Sequence, residues 1–341
     1  MNLKLKLTEG NANMIVDQKG YKYRNCMQNY EASEKFSTFE CDKKYSQDCK
    51  GQISCDNETG RRGLLMKKHS CRWSYEEAVN YCYTVYHGNP NIKTGYHPPI
   101  ASFDEAWRLL WSIHSETFNI WSHLVGVILH LYFLLESLMN IDAYDYWITI
   151  FYNFLTLAMF TQSTLYHWMH IGSVKWHNRL LCSDNCGISF YTFAIHIRWM
   201  FYGLPHNFQL FNIYFTWQVI VLVSGLVCCY KCVYAKDNVK LNELAKISLL
   251  ALHQILVYVL HVHQQWIRNE LSNLFLFDCC VFLLPSIVST FLAMIFYVKQ
   301  YPESIWPGYF DTYLNSHQIM HIFILVASIF QRYFFNCLRV I

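Results

Sequence analysis

The sequence predicts an all-α membrane protein, a bundle of seven transmembrane helices with a cytosolic amino terminus. Three observations carry this expectation. Of 341 residues, 53% are hydrophobic and only 15% charged, too apolar and too poor in charge for an ordinary soluble domain of this length. Seven stretches, 116–136, 146–169, 182–202, 210–232, 245–263, 275–298 and 316–336, hold enough apolar residues to cross the bilayer, a task that takes about 20 residues for ~30 Å of hydrocarbon. The basic residues of the short connections then fall on one side.

Residues 1–95 are expected to form a cytosolic, cysteine-containing region. The opening MNLKLKLTEGNANM has lysines but no apolar run of signal-peptide length. The stretch is mixed and polar, has GRR and MKK basic patches and keeps no sustained period, which suggests a loosely folded or partner-dependent segment. Of the 14 cysteines, six precede the first span, namely Cys26, Cys41, Cys49, Cys55, Cys71 and Cys82. A cytosolic location keeps such thiols reduced, and their spacing matches neither C-x-x-C pairs nor a zinc finger. Residues 96–115 read as an amphipathic juxtamembrane helix. Ser102 and Glu105 have capping-box spacing, and Trp107, Leu110 and Trp111 are expected on one face in the headgroup layer.

Residues 116–341 are the expected transmembrane domain. With the amino terminus inside, the inner connections hold Lys175, Arg179, Lys231, Lys236, Lys240, Lys246 and Lys299, whereas the outer ones hold Arg268. This is the positive-inside bias. Arg332 and Arg339, in the carboxyl-terminal tail, run against it. The fifth stretch is interrupted by His253, Gln254, His261 and His263, polar groups that face a bundle or cavity when they occur in spans. The net charge of +3 is small and scattered, so no electrostatic footprint for nucleic acid is present, and a membrane lipid or lipid-like ligand is the expected partner.

Counting crossings places four potential metal ligands at one depth. The second span ends on the inner side with Ser163 and His167, the third begins there with Asp184, and the seventh begins there with His317 and His321. A separation of four residues puts His317 and His321 on one helix face, one turn apart, where both imidazoles reach a single ion. His167 supplies a third nitrogen. Three protein donors leave a fourth position of Zn²⁺ open, which is the catalytic form of a zinc site. Asp184 is expected either as a direct ligand or as the general base beside bound water, and Ser163 as a hydrogen-bonding group for water or substrate. Glu116, Asn119 and His123 share a helix face in the first span and read as a structural hydrogen-bond network.

The segments HSETFNIWSHLVG (114–126), STLYH (163–167), DNCGIS (184–189) and PGYFDTYLNSHQIMH (307–321) resemble signatures of the progestin and adipoQ receptor family, which includes the adiponectin receptors and is related to the hemolysin III proteins. The resemblance extends over about residues 90–335. It implies a seven-helix bundle inverted relative to G-protein-coupled receptors, with zinc near the cytosolic face held at the positions of His167, His317 and His321. The positions of Asp184 and Ser163 surround the zinc-bound water in that family. The chain departs from the pattern at Ile171, Gly172 and Ser173, where many members carry Cys-His-Ser, and at Asn185, usually a tyrosine.

Two functions follow as expectations. One is a receptor of this type whose zinc supports hydrolysis of a lipid amide such as ceramide. The other is a non-enzymatic receptor or membrane-fluidity sensor with a structural zinc. An extracellular protein or a steroid is a further candidate ligand, and the expected location is the plasma membrane or an endomembrane.

Overall fold

The computed structural model describes residues 14–16, 22–24, 73–86, 88–100, 102–141, 143–203, 208–235, 277 and 279–340. The predicted fifth span, 245–263, lies outside them, as do five of the six amino-terminal cysteines. The chain divides into two compact units. The first combines the residues up to Thr117 with 169–177 and 303–313, and the second contains the long helices.

In the first unit a short hairpin pairs β1 (Met14–Val16) with β2 (Lys22–Arg24). Helix α1 (Tyr75–Tyr81) starts at a complete capping box, in which Ser74 Oγ accepts from Glu77 N–H and the Glu77 carboxylate accepts from Ser74 N–H at 2.9 Å. It is followed by α2 (Tyr83–Tyr86). Their apolar faces pack Ala78, Val79, Cys82 and Tyr86 against Ile171. Residues 89–96 are tied to the 303–313 segment by Asp311, whose carboxylate accepts from the backbone N–H groups of Lys93 and Thr94 and from the Thr94 hydroxyl, all within 2.9 Å.

Helix α3 (Phe103–Leu109) begins where Ser102 Oγ accepts from Glu105 N–H. Phe103, Trp107 and Trp111 are exposed, and Leu110 is buried. The expected face therefore exists with Phe103 in place of Leu110, because the helix stops at Leu109 and the chain turns Leu110 inward. Beyond it, the first long helix starts at Thr117, which leaves Glu116 in the preceding turn with its N–H donating to His114 Nδ1.

The second unit contains all or most of α4 (Thr117–Met139), α5 (Tyr146–Met169), α6 (Val174–Gly203), α7 (Phe208–Tyr230, continued by a π turn to Ala235), α8 (Leu284–Lys299) and α9 (Ser316–Val340). Among the described residues, four segments meet both the length and the hydropathy needed to cross a membrane: Thr117–Met139, Phe211–Tyr234, Val281–Lys299 and Ser316–Leu338. Helices α5 and α6 are long enough, with 24 and 30 residues, but more polar. Before α8 the chain forms a π turn over Cys279–Leu283, where Pro285 in the first turn contributes no N–H and the ladder widens.

Residue pairings give the helix directions. Tyr202 meets Asp145, Phe193 meets Phe151 and Gly187 abuts Met159, so α5 and α6 are antiparallel. His321 meets His123, Ser328 meets His130 and Arg332 meets Glu136, so α4 and α9 are parallel. Phe296 and Phe282 of the sixth-span segment meet Phe323 and Tyr333, so α8 is antiparallel to α9.

Polarity is arranged as a bilayer demands. Val125, Ile128, Leu131 and Leu135 of α4 and Val288, Phe291 and Ile295 of α8 face outward. Asn119, His123, His130, Asn153, Thr156, Ser189, His196, Gln318 and Ser328 are buried. Hydrocarbon accepts apolar side chains at no cost, whereas polar groups need partners inside the bundle. The protein is an integral, multi-pass membrane protein. Its apolar core joins Tyr152, Met159 and Phe160 to Tyr191, Ile195, Trp199, Phe334 and Phe335. Arg332, expected in a tail, lies inside α9 and is buried, because the helix continues to Val340.

Candidate metal centre

Helix α9 is started by Asn315, whose side-chain oxygen accepts from Gln318 N–H at 3.1 Å while its backbone carbonyl accepts from Ile319 N–H. This cap fixes the first two turns, and both His317 and His321 point to the same side. On α5, His167 sits in the last turn. Tyr152 of α5 meets Phe335 of α9, and His167 meets His317, so α5 runs antiparallel to α9 and the end of one meets the start of the other.

The three imidazoles converge through Nε2. His317 Nε2 is 3.3 Å from His167 Nε2 and 3.2 Å from His321 Nε2, and one ligand atom from each ring lies within 4.8 Å of the others. His167 and His321 are buried and His317 is half-buried. A neutral imidazole nitrogen either donates one hydrogen bond or accepts one. His317 Nε2 therefore makes at most one well-directed hydrogen bond to the other two nitrogens, and the remaining contact is poorly directed or repulsive. A cation between the rings turns that contact into an attractive one. Tetrahedral Zn–N bonds of 2.0–2.1 Å set neighbouring nitrogens about 3.3 Å apart, the separation found twice here. The donor set fits the ion expected from the sequence.

The other predicted residues lie close in level. Ser163 is buried one turn before His167 on α5. The α5/α6 pairing, anchored where Gly187 leaves no room for a Cβ beside Met159 and Gln162, puts half-buried Asp184 level with Ser163. Asp184 is not among the three mutually close ligand atoms.

A fourth histidine joins the group from α4. His123 is buried, stacks on His321 with ring centroids 3.7 Å apart and meets Phe160 edge-on at 5.0 Å. Sequence reasoning placed it in a structural network on α4. The signal that finds it is topological: α4 runs parallel to α9, so His123 near the start of one lies level with His321 near the start of the other. Tyr297 of α8 closes the exposed side of His317, with centroids 5.9 Å apart.

The family model for haemolysin-III-related proteins matches residues 111–332, which contain every residue of this centre. The chain belongs to this family. Among its relatives, progestin and adipoQ receptor-like protein 1 of Caenorhabditis elegans is 22% identical over 82% of this chain and 64% of its own length. The adiponectin receptor protein of Drosophila melanogaster is 22% identical over 70% of this chain and 54% of its own length. Membrane progestin receptor alpha of Mus musculus is 25% identical over 71% of each chain. The chain thus spans between half and two thirds of the first two relatives. These names bear out the family resemblance of the four sequence segments, and the haemolysin-III-related match spans α4 to most of α9.

Proposed function

We propose that this chain is a seven-helix receptor-type membrane protein whose buried His167, His317 and His321 bind Zn²⁺ and support hydrolysis of a lipid amide such as ceramide. The observation that carries the reading is the pair of 3.2 and 3.3 Å nitrogen contacts on His317, the spacing of neighbouring ligands on one tetrahedral ion. Bound zinc would supply Lewis acidity and a nucleophilic water at neutral pH. In this reading Asp184, level with Ser163, takes the proton released on attack and returns it to the leaving amine. Ser163 orients the reacting oxygen. His123, braced by Phe160, stacks on the His321 ring and holds it against rotation.

Seven spans require one more crossing between α7 and α8, and the stretch 245–263 has the length for it. The amino terminus and the histidine end are assigned to the cytosol by the distribution of lysines. A membrane lipid enters from the bilayer.

A second reading is favoured by the relatives' names: an adiponectin receptor and a membrane progestin receptor are named for a protein and a steroid ligand. In that case zinc ties α5 to α9 structurally, and signal passes through helix movement. Metal analysis and ceramide hydrolysis on the detergent-purified chain separate the two. One zinc per chain, lost in His317→Ala/His321→Ala together with turnover, supports the hydrolase. Zinc without turnover leaves the receptor reading, and protein without zinc overturns both.

A further inference from the structure

Two arginines occupy the opposite end of the helices from the histidines. Arg332 is 11 residues beyond His321 on α9, about 16 Å along the axis at 1.5 Å per residue. Arg198 of α6 is fully buried, and Arg332 is 3% exposed. The two guanidinium groups are near enough to act electrostatically on one another and on Tyr152. Arg198 lies over the rings of Tyr152 and Phe335, 5.0 and 4.6 Å from their centroids, and Arg332 lies 5.2 Å from that of Phe133.

Their acidic partners do not complete them. Asp145 Oδ2 accepts from Tyr202 at 2.5 Å and from Thr149 at 2.8 Å, and stands 3.8 Å from Arg198 Nη2, too far for a hydrogen bond. Glu136 reaches Arg332 Nη2 at 3.0 Å, but its side chain is 41% exposed and belongs to the rim. Among the described residues, Nε and Nη1 of both arginines have no hydrogen-bond partner. Each arginine thus meets its partners through Nη2 alone, Arg198 with Tyr202 Oη at 3.4 Å and Arg332 with Glu136, and the other four nitrogens keep unused N–H donors. Burying a guanidinium without acceptors costs several kcal/mol, and aromatic faces offset only a small part of that.

We infer that Arg198 and Arg332 form an oxyanion site, taking a carboxylate or phosphate group between α4, α5, α6 and α9. One bound anion supplies acceptors for the four free nitrogens. The aromatic rings of Phe133, Tyr152 and Phe335 suit the first carbons of an attached chain, so the oxyanion is either a free ion or the head of an amphiphile. The site is independent of the histidine cluster and of the reading given to it.

The test is thermal unfolding of the full chain in a maltoside detergent, titrated with sodium octanoate, inorganic phosphate or sodium chloride at matched ionic strength. The expected result is a saturable rise in midpoint on the order of 5 °C at a ~100-fold excess over Kd, with an oxyanion and not with chloride. A response to octanoate alone assigns an amphiphile head, and an equal response to phosphate assigns a free ion. Arg198→Gln and Arg332→Gln each shift half-saturation at least tenfold, Arg332→Lys shifts it less, and His317→Ala/His321→Ala leaves it in place. If the glutamine variants do not fold, native mass spectrometry of the wild type decides, through a bound oxyanion that octanoate or phosphate displaces. A wild type with neither a saturable response nor a bound oxyanion overturns the site and leaves water at the arginines.

Discussion

His123 lies face to face with His321, ring centroids 3.7 Å apart and planes 24° from parallel. The contact joins α4 to the helix that carries two of the three converging nitrogens, so His123 acts on the centre through His321. Groups that orient metal-binding histidines typically contribute 10–100-fold in affinity. His123→Ala, which removes the stacked ring, is expected to weaken zinc binding by about tenfold or more, whereas His123→Phe keeps a flat partner and stays within a few-fold. Competition with a chromophoric chelator reads both. Equal affinity in the alanine variant and the wild type would show that the stack is packing alone.

Asp184 and Ser163 are placed one helix turn from the cluster rather than within it. Asp184→Asn is therefore expected to keep its zinc while ceramide turnover falls by about 10²–10⁴-fold, the usual contribution of a general base. Metal content and kcat are measured on the same preparation. Loss of zinc in this variant would instead make Asp184 a ligand. Ser163→Ala should retain both metal and fold with a smaller drop in kcat.

The convergence of the three histidines was legible because their spacing is local and their common level follows from counting crossings. His317 and His321 are four apart, and His167 ends a span on the same side. His123 was harder to read, since nothing in the first span says which helix it will face. That depends on α4 being parallel to α9, a relation between elements some 200 residues apart in sequence. The arginine end was missed for a similar reason. Arg332 looked like part of a basic tail because a charged residue near the end of an apolar stretch reads as its boundary, and its partner Glu136 lies 196 positions earlier in the sequence. Leu110 was set on the wrong face because α3 stops one residue earlier than a continuous period implies.

Helix α4 approaches α5 closely at Gly126, where an added Cβ would overlap the ring of Phe160. Phe160 also touches His123 and stacks on His130, so this one ring sets the spacing between the two helices. Gly126→Ala is expected to destabilise the fold by about 1–3 kcal/mol, the usual cost of overpacking, and to lower the unfolding midpoint. Adding Phe160→Leu makes room for the methyl group, so the double variant should be less destabilised than the sum of the two single changes. Additive losses would mean that the helices part without strain.

His97 and His114 form a buried pair in the first unit, edge to face with ring centroids 5.0 Å apart. Burial, with His114 close by, pushes the pKa of His97 down to about 3, against the raising effect of its contact with the Pro98 carbonyl. Burial lowers that of His114 too. In the unfolded chain His97 titrates near its ordinary value of about 6.5. Between these values the unfolded state holds a proton that the folded state lacks, so stability is complete above pH ~6.5 and falls as pH drops toward 3, with a slope of up to about 1.4 kcal/mol per pH unit for His97. Acidification from pH 7 to 5 should lower the unfolding midpoint. His97→Gln removes the titrating group, so its midpoint, although lower at pH 7, should depend less steeply on pH by about one proton. Parallel profiles for the two proteins would place the acid sensitivity elsewhere than this pair.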